Sequence, residues 1–521
     1  MSKHYKALSL IMALIMIFAA LPITSFAEDI GNTYYVDSTD GNDANDGTSP
    51  EKAWKTLAHA SNRNYAPGDK ILLKKGSYFF GGFACHGNGT EENPITLATY
   101  GEGDMPVVTN ALSDPQYHPV MFINDVSHWV IKDIEITAPN GTGIFIHFNE
   151  TIVEDITVDS VVLHDIQNYP SDNYYSSQRA AIRMLGNTSR THNHLSDIHI
   201  NNCEIYNCGY GIFTGGHYNA ENPNSEEYPY NKDILVENCS IYNLQDDGFI
   251  LAQAERITLR NSSIINTCLS SGIYATAPTW TWGVTEALIE NCEIAGAKNI
   301  KDGMSCDFDD HTSNSMYQYI YSHDNVRFMW NCVYEEDHFN NTVRYCLSVN
   351  DNITSNAGSR TGLPEIGFKF YNNTIVNGSN YCFLRYKDSY ICNNIFSLLP
   401  GHKVEYNKEY ENTISNNCYY GTLPTRFDKN SFWADPQFAG TDETDKNSFI
   451  LKKCSPCMNA GIQVEEDMGE HDFYGNPLDN THNIGCYEGD GIDLPETPFS
   501  LCKVLKRAFE GLFRYIASAF E

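Results

Sequence analysis

The chain has 521 residues, of which 66 are acidic and 34 are basic, and its formal net charge is −32. Such a charge disfavours nucleic acids and anionic membranes as partners, and it disfavours polyanionic sugars unless calcium bridges the two surfaces. Length alone would suggest three or four domains, but the internal repeats described below favour one long solenoid.

Residues 1–27 are predicted to form a secretory signal peptide. Lys3 and Lys6 precede the apolar run Leu8–Leu21, and Ser25-Phe26-Ala27 is a small-x-small cleavage site. The alternative is an uncleaved membrane anchor, but polar residues follow the apolar run at once. Cleavage would remove two lysines and no acids, so the mature charge would be −34. We therefore expect a secreted or cell-surface protein.

Residues 28–127 are predicted to form an N-terminal cap and the first coils. An Asp/Asn/Gly-rich segment, Tyr34–Pro50, precedes Trp54-Lys-Thr-Leu in this part of the chain. The spacing of its acids does not match an EF-hand loop. A structural turn followed by a capping helix is therefore favoured over a calcium site.

One short phrase recurs ten times over residues 128–400. In its clearest copies, alternating apolar and polar residues lead to an Asn-Cys pair and then to Ile, as in Ile198–Ile205 and Ala287–Ile294. The period of two within each copy is that of a strand with one buried face. Recurrence every 20–42 residues predicts stacked coils. The slot after the Asn is held by Ile134, Val161, Cys203, Cys239, Ser262, Cys292, Tyr319, Cys346, Asn373 and Asn393.

A second short strand follows most copies after a glycine, for example at Gly143, Gly211, Gly248 and Gly303. Two or three short strands per coil with no helical pattern between them predict an all-β fold, a parallel β-helix of ten or more rungs. The Asn before the repeated slot suits a left-handed corner, and the repeated Cys predicts buried thiols rather than disulfides. A leucine-rich horseshoe is disfavoured because its regular Leu skeleton is absent.

The last part of the chain departs from the repeat. Residues 401–488 are predicted to form the last coils and a C-terminal cap, because an open solenoid end needs covering. Residues 489–498 are predicted to be a linker. Residues 499–521 carry apolar side chains at helical spacing together with Lys503 and Arg507, which predicts a basic amphipathic helix. Contact with a membrane or cell surface and packing against the solenoid both stay open for it.

Two stretches carry a family resemblance. The opening YYVDSTDGNDANDGTSPEKAWKTL and the ending ADPQF…SFILKKCSPCMNAGI…DFYGNPLDNTHNIGCYE resemble those of secreted right-handed parallel β-helix repeat proteins of the pectate-lyase-like superfamily. The resemblance covers residues 32–488 and implies a right-handed β-helix. This superfamily contains polysaccharide lyases, glycoside hydrolases, sugar epimerases and noncatalytic adhesins, so the fold by itself does not choose an activity.

Solenoids of this kind bind ligands along one exposed sheet face, so acids that line up across neighbouring coils mark the candidate site. A glycoside hydrolase needs two carboxylates that flank the scissile bond, and crowded carboxylates raise one another's pKa. Strands in adjacent coils lie about 4.8 Å apart, so acids from two coils can bracket one bond. The predicted catalytic residues are Asp302, Asp307, Asp309, Glu335 and Glu336.

Further residues near the same register are predicted to bind substrate. Two tryptophans, expected on an insertion between the Gly272 and Gly303 strands, would stack on sugar rings. The predicted substrate-binding residues are Arg183, His217, Asp247, Trp280, Trp282, His311 and Lys369.

The most favoured function is therefore that of a secreted glycoside hydrolase, a monomer that acts on a plant or microbial polysaccharide. One alternative is a polyuronate lyase, in which Lys369 or Arg183 would remove the α-proton and Ca²⁺ would neutralise the carboxylate. Another is a noncatalytic glycan-binding or adhesive surface protein, which would keep the tryptophans and not need the acids. No metal ligands are assigned, and calcium enters only with the lyase alternative.

Overall fold

The structure is a computed structural model. None of the helices in the part of the chain that it describes is long and apolar enough to cross a membrane. The predicted signal peptide and the predicted C-terminal helix both lie outside the described residues. These residues are 31–110, 119–167, 179–186, 192–215, 229–270, 275–332, 337–351, 363–383, 385–406, 409–426, 428–478 and 482–493.

The described chain winds into stacked coils whose strands pair in parallel along three faces. Face 1 comprises β4 (Phe83–Cys85), β7 (Met121–Asn124), β10 (Ile144–Phe148), β13 (Ala180–Gly186), β16 (Tyr210–Thr214), the first half of β19 (Phe249–Arg260), β21 (Thr279–Thr285), β24 (Met304–Phe308) and β27 (Arg327–Asn331).

Face 2 continues the same sheet around a bend. It comprises β1 (Thr33–Val36), β2 (Lys70–Lys74), β5 (Ile95–Tyr100), β8 (Trp129–Lys132), β11 (Val153–Asp159), β14 (Leu195–Asn201), β17 (Asn231–Glu237), the second half of β19, β22 (Leu288–Glu290), β25 (Met316–Gln318), β28 (Thr342–Arg344), β31 (Lys369–Tyr371), β35 (Tyr390–Cys392) and β38 (Thr413–Ser415).

Face 3 is a separate parallel sheet that closes each coil. It comprises β3 (Tyr78–Phe80), β6 (Val107–Thr109), β9 (Glu135–Thr137), β12 (Val162–Ile166), β15 (Glu204–Cys208), β18 (Ser240–Tyr242), β20 (Ser263–Ile265), β23 (Glu293–Ala295), β26 (Tyr321–His323), β29 (Leu347–Val349), β32 (Thr374–Gly378), β36 (Ile395–Leu398), β39 (Cys418–Tyr420) and β40 (Phe432–Trp433).

A few short elements lie outside these faces. Two strand pairs, β30 (Glu365–Ile366) with β34 (Tyr386–Lys387) and β33 (Tyr381–Phe383) with β37 (Val404–Tyr406), add to the later coils. The helix α1 (Leu57–Ser61) begins after Thr56, whose hydroxyl accepts a hydrogen bond from the His59 amide. This helix confirms the one predicted after the acidic opening segment. Short 3₁₀ turns span Pro50–Lys52 and Lys446–Phe449.

The core is a set of apolar columns that run through the coils. Parallel pairing on face 2 places one inward side chain of each coil directly over the next, and every member of the longest column is buried. Burial of these columns is the driving force that one strand by itself could not supply. From Leu97 onwards this column is Leu97, Ile131, Val158, Ile200, Val236, Leu259, Ile289, Tyr317, Val343, Phe370, Ile391 and Ile414.

The repeated Asn-Cys pair forms the corner between faces 2 and 3. Asn202 and Asn238 have φ of 54° and Asn291 has φ of 53°, which is the left-handed region that Asn tolerates well. The thiol of Cys239 is buried and lies 3.2 Å from the Glu237 carbonyl oxygen, so it acts as a small apolar residue with a weak donor. The predicted left-handed corner and the buried thiol are both confirmed.

In the later coils the Cys slot is held by asparagine, and the amides form a buried ladder. Two slot assignments were wrong by one residue: the slots are Ile320 and Asn394, because Tyr319 and Asn393 are the left-handed corner residues, with φ of 57° and 58°. Asn394 Oδ1 accepts hydrogen bonds from the backbone and side-chain nitrogens of Asn373, at 3.0 and 3.1 Å. Its Nδ2 donates to the Phe370 carbonyl at 2.9 Å and to Asn417 Oδ1 at 3.0 Å. Because all three Asn side chains are buried, these bonds satisfy polar groups that water does not reach.

The C-terminal described segment, residues 433–478 and 482–493, packs along the side of the solenoid. It covers the corner of the later coils: the Arg344 guanidinium donates to the Asp467 carbonyl at 3.1 Å, and Asn393 Nδ2 donates to the Ile462 carbonyl at 2.7 Å. We call this segment the strap. The outer surface of face 1 is formed by the side chains of face 1 and not by the strap.

We predict that Asn394→Ala lowers the free energy of unfolding by about 3 kcal/mol, because it leaves several buried polar groups without partners. Denaturant unfolding followed by circular dichroism measures this change. The matched control is Asn64→Ala, which removes an exposed amide and should leave the midpoint unchanged. A loss below about 1 kcal/mol for Asn394→Ala would show that the ladder does not stabilise the later coils.

Candidate active site

The outer surface of face 1 carries a continuous column of side chains, one from each coil. Parallel pairing sets the order, and the step from Trp280 to Asp307 follows because the next residues, Thr281 and Phe308, are paired. With a strand spacing of about 4.8 Å, the column is about 34 Å long. We call the eight side chains from Phe122 onwards the outer column: Phe122, Phe145, Arg183, Phe213, Ile250, Trp280, Asp307 and Trp330.

Four carboxyl groups meet near one end of the outer column. Asp247 precedes the Gly248 turn into β19, Asp302 precedes the Gly303 turn into β24, Asp307 lies on β24, and Asp309 follows its last residue. The negative charge of Asp302 raises the pKa of the other three groups, Asp247, Asp307 and Asp309. We call these four residues the acid cluster. The sequence prediction had placed all four near one another.

The four acids differ in their access to solvent. Asp247 and Asp307 are buried, with exposed fractions of 3% and 7%, whereas Asp302 and Asp309 are partly exposed. A sugar on the outer surface of face 1 would therefore meet the carboxyl groups of Asp302 and Asp309 first.

Asp247 is held firmly in place. Its Oδ1 accepts hydrogen bonds from the Ala277 backbone nitrogen at 2.7 Å and from Trp280 Nε1 at 3.0 Å. Burial nevertheless raises its pKa well above the ordinary value, because desolvation disfavours the charged form. The hydrogen bond from Trp280 Nε1 to Asp247 also orients the indole.

Asp309 is fixed through one oxygen. Its Oδ1 accepts a hydrogen bond from the Asp310 backbone nitrogen at 2.9 Å, and the Cys332 thiol also donates to its carboxylate. Burial raises the pKa of Asp309 to about 6, and these two donors limit the rise. By contrast, Asp307 Oδ1 is buried and accepts no hydrogen bond. Burial and the neighbouring Asp309 charge raise the pKa of Asp307 well above the ordinary value.

Arg327 lies beside Asp302 on the next coil. Its guanidinium donates to the Asp302 carbonyl oxygen at 2.7 Å and lies 5.1 Å from the centre of the Trp330 ring. The positive charge lowers the pKa of Asp302, but desolvation is larger, so the pKa of Asp302 is raised overall. Arg327 thus limits the repulsion within the acid cluster without neutralising it.

The carboxylate next to the cluster, Asp246, is part of a buried ion pair. Its Oδ2 lies 2.6 Å from Arg179 Nη1, and its Oδ1 accepts a hydrogen bond from the Ser270 hydroxyl at 2.8 Å. Asp246 is paired with Arg179, and Asp247 accepts hydrogen bonds from two N–H groups. The carboxylates of Asp246 and Asp247 are therefore not arranged as a calcium site. In the described ranges no group of three or more His, Cys, Asp or Glu side chains has the arrangement of a metal site.

An apolar floor adjoins the acid cluster. Trp280 and Trp282 are partly exposed and pack with Phe213 against a buried cluster that contains Tyr210 and Ile250. The expectation that the tryptophans lie on an insertion is wrong. They belong to β21, paired in register with β19, because the strand of this coil begins seven residues after Gly272.

His311 lies at the rim of the same region. Its Nδ1 is 2.8 Å from Asp337 and its Nε2 is 3.4 Å from Asp310 Oδ2. The imidazole therefore joins two carboxylates from neighbouring coils. This position suits a residue that shapes the edge of the site.

Two of the predicted binding residues lie apart from the acid cluster. Arg183 is on the outer column, but four strand-to-strand steps separate it from Asp307, a distance of about 19 Å. Lys369 is on face 2, and its Nζ lies 2.5 Å from Glu465 Oε2 in the strap. Placing Lys369 in register with the acids is wrong, because Gly367 leads into a face 2 strand rather than a face 1 strand. Glu335, Glu336 and His217 lie outside the described residues.

Several residues of the site were missed from the sequence. Arg179 pairs with an acid 67 positions away, and no local motif identifies that partner. Arg327 and Trp330 could have been found by extending the register of face 1 by one coil, because Trp330 is paired with Asp307.

A buried polar layer lies behind the end of β27. Glu365 accepts hydrogen bonds from the side chains of Asn331 and of Asn341, the latter at 3.2 Å. Burial raises the pKa of Glu365 to about 8 and lowers the pKa of His338 to about 4. The His338 Nε2 lies 3.7 Å from Glu365 Oε1, and both groups are neutral near pH 6.

Comparison with known proteins identifies relatives of this chain. No protein-family model matches it. The chain is 24% identical to a lacto-N-biosidase of Bifidobacterium longum subsp. longum over 634 aligned positions, which cover 91% of this chain and 38% of that protein. The chain thus spans little more than a third of this relative. A shorter match, 30% identical over 96 residues, covers 17% of this chain and 16% of alpha-1,3-galactosidase A of Akkermansia muciniphila.

Solved structures establish the fold. A GH136 lacto-N-biosidase from Eubacterium ramulus has a TM-score of 0.53 at 20% identity, with 73% of this chain and 68% of that chain covered. XylC in complex with xylose has a TM-score of 0.52 at 11% identity, with 87% of this chain and 98% of that chain covered. The chain has the right-handed parallel β-helix fold that its repeated phrase and its opening and closing motifs predicted.

We predict that Glu365 makes the free energy of unfolding fall as the pH rises from about 4.5 to 8. Glu365 keeps its proton in the folded state up to its raised pKa of about 8 and loses it near 4.5 when unfolded. The folded state therefore binds more protons in this window, and each such group lowers stability by about 1.4 kcal/mol per pH unit. Denaturant unfolding at several pH values measures the slope.

Glu365→Gln should make this slope shallower by about one proton, whereas Glu405→Gln, on the exposed side of β37, should leave it unchanged. A slope that Glu365→Gln does not alter would mean that Glu365 is ionised in the folded protein at neutral pH.

Proposed function

We propose that this chain is a glycoside hydrolase whose two catalytic carboxyl groups are those of Asp302 and Asp309. The observation that carries the proposal is their position: in a cluster of four carboxyl groups on the outer surface of face 1, these two are partly exposed and the other two are buried. Hydrolysis of a glycosidic bond needs one carboxyl group as acid and one as base or nucleophile.

The surroundings suggest a role for each carboxyl group. The Asp310 amide and the Cys332 thiol donate to Asp309 and favour its anionic form, as a nucleophile or base requires. Burial raises the pKa of both groups, so we propose Asp302 as the acid because the two donors favour the anion at Asp309. In this assignment Asp302 donates its proton to the leaving oxygen while Asp309, or a water that it activates, attacks the sugar carbon.

The buried members of the cluster support these states. Negative charge on any one carboxylate raises the pKa of its neighbours, so the cluster holds at least one proton in mildly acidic solution. Asp247 also positions Trp280 through its hydrogen bond to Nε1, next to the two catalytic groups. Trp280, Trp282 and Phe213 then provide a flat apolar surface against which sugar rings pack.

The substrate class is suggested by the relatives. We propose that the chain cleaves lacto-N-bioside linkages, because a lacto-N-biosidase aligns with 91% of its length and a second lacto-N-biosidase shares its fold. We further propose that it acts outside the cell, as the predicted signal peptide suggests.

The placement of the two bases predicted from the sequence favours hydrolysis over elimination. A lyase needs a base next to the acidic sugar carbon, and its two candidates, Lys369 and Arg183, lie away from the acid cluster. A noncatalytic glycan-binding protein would have no use for four adjacent carboxyl groups with raised pKa values, which weaken its stability.

We predict that Asp302→Asn and Asp309→Asn each lower kcat about a thousandfold or more on an oligosaccharide that carries a lacto-N-bioside unit. Each substitution removes one of the two carboxyl groups that hydrolysis requires. Product release measured by chromatography reports the rate. The control is Asp388→Asn, which changes an exposed turn carboxylate with φ of 52° and should retain full activity.

The two roles differ in their response to the leaving group. On 4-nitrophenyl lacto-N-bioside, Asp302→Asn should lose much less activity than Asp309→Asn, because nitrophenolate leaves without a proton. Full activity in either variant would remove that residue from the mechanism. Binding without turnover by the unaltered protein across a glycan panel would replace the hydrolase with a glycan-binding protein.

We also predict that Trp282→Ala raises KM about tenfold with a smaller change in kcat, because the indole contacts sugar in both the ground and transition states. Steady-state kinetics on the oligosaccharide measure both constants. Trp433→Ala on β40, where the indole is 57% exposed, is the matched control. An unchanged KM in Trp282→Ala would show that the floor does not bind the substrate.

A further inference from the structure

Arg183 lies on the outer column at the end opposite the acid cluster. It is the one cation among the eight side chains of this column, all of which the structure describes. The guanidinium carbon lies 4.4 Å from the centre of the Phe145 ring, and Phe213 is its partner on the next strand. Phe122 stacks on Phe145 with ring centres 5.6 Å apart, so the arginine lies in an aromatic setting.

Arg183 has no counter-ion among the described residues. Its Nε is buried and has no hydrogen-bond partner, and burial alone lowers its pKa to about 10, with no neighbouring acid to raise it. Other arginines of the chain are paired: Arg179 with Asp246, Arg256 with Asp233, and Arg260 with Glu237. Arg327 also has a buried Nε without a partner, but it donates to the Asp302 carbonyl oxygen, and the charges of Asp302 and Asp307 act against the lowering of its pKa by burial. Neither kind of contact reaches Arg183 among the described residues.

Such an arrangement is unfavourable for the free protein. A partly buried cation without a counter-ion loses hydration that the aromatic contact replaces only in part. A planar guanidinium with unused N–H donors matches a carboxylate or a sulfate ester in charge and in geometry. We therefore expect a bound ligand to supply the negative group that pairs with Arg183.

We propose that Arg183, with Phe145 and Phe213, forms a distal subsite that binds an anionic substituent of the glycan, a carboxylate or a sulfate ester. This inference rests on the proposed function, because the same outer column leads from Arg183 to the acid cluster. The separation of about 19 Å places the subsite several sugar units from the scissile bond. The phenylalanines pack against the sugar ring that carries the charge, and Arg183 binds the charge itself.

The subsite also agrees with the charge of the chain. A net charge of −32 repels a polyanion, so uniformly acidic polysaccharides are poor ligands. A mostly neutral glycan with a single acidic group avoids this repulsion when that group lies against Arg183, away from the four carboxyl groups. The preferred ligand is therefore a neutral glycan with one acidic substituent.

Binding measurements on the full chain test this subsite. Calorimetric titration would use three forms of one oligosaccharide: neutral, sialylated and sulfated. The unaltered protein should bind at least one acidic form about tenfold more tightly than the neutral form, and Arg183→Gln should abolish that difference while leaving neutral binding within twofold. The sialylated and sulfated forms distinguish a carboxylate from a sulfate ester. Arg256→Gln, which removes a paired surface arginine, should preserve the difference.

A thermal melt checks that the variant is folded. Arg183→Gln should melt at the same temperature as the unaltered protein or higher, because it removes an uncompensated buried charge. If it melts lower, Arg183→Lys, which keeps the charge and loses the planar fork, is measured instead and should lose most of the preference.

Equal affinity of the unaltered protein for neutral and acidic forms would overturn the subsite. So would an acidic preference that survives in the folded Arg183 variant. Neither result affects hydrolysis of the neutral substrate by Asp302 and Asp309. Conversely, an acidic preference that depends on Arg183 in a protein without hydrolase activity would refute the proposed function and leave the subsite standing.

Discussion

The parallel hydrogen bonding between coils is the constraint on which the rest of this structure depends. It places each side chain directly over its counterpart in the next coil, about 4.8 Å away. Inward positions become apolar columns, such as the one that contains Ile200 and Val236. Outward positions become columns as well, so a coil that carries Asp307 where its neighbour carries Trp280 sets an acid against an aromatic surface.

The acid cluster shows which electrostatic effect is largest. Arg327 attracts Asp302 and Asp307, but desolvation outweighs this attraction at both residues and raises their pKa. The cluster is therefore unfavourable for the fold, in contrast to the nearby buried pair of Arg179 and Asp246, in which opposite charges meet at 2.6 Å. Destabilising carboxyl groups that converge on an exposed face are typical of a catalytic site.

Charge is distributed unevenly along the outer column. The four carboxyl groups lie near one end, Arg183 lies toward the other, and aromatic or aliphatic side chains occupy the positions between them. Under the proposed function, an extended neutral sugar chain lies along the middle of this column, and each end contacts a different part of that chain. Because the solenoid grows by adding coils, such a column can be lengthened or shortened without altering the catalytic end.

Much of the fold was predictable from the sequence, because the repeated strand phrase itself shows where the strands and corners of each coil lie. The alternation of apolar residues, the Asn corner and the buried Cys slot follow from local rules, and Asn202, Asn238 and Cys239 obey them in the structure. The grouping of Asp247, Asp302, Asp307 and Asp309 was also predictable, because the glycine that opens each face 1 strand supplies a register.

The sequence by itself determined the architecture and the coils in which the acids lie, because both depend on short repeats that need no knowledge of distant contacts. Only the tertiary structure decided which strand of a coil a residue occupies and what lies against it. It moved Lys369 to face 2 and the tryptophans onto β21, and it separated partly exposed Asp302 and Asp309 from buried Asp247 and Asp307. It also left Arg183 without a counter-ion among the described residues. The physical reason is that coil lengths vary, so face, burial and charge pairing are settled only when residues far apart in the chain are brought into contact.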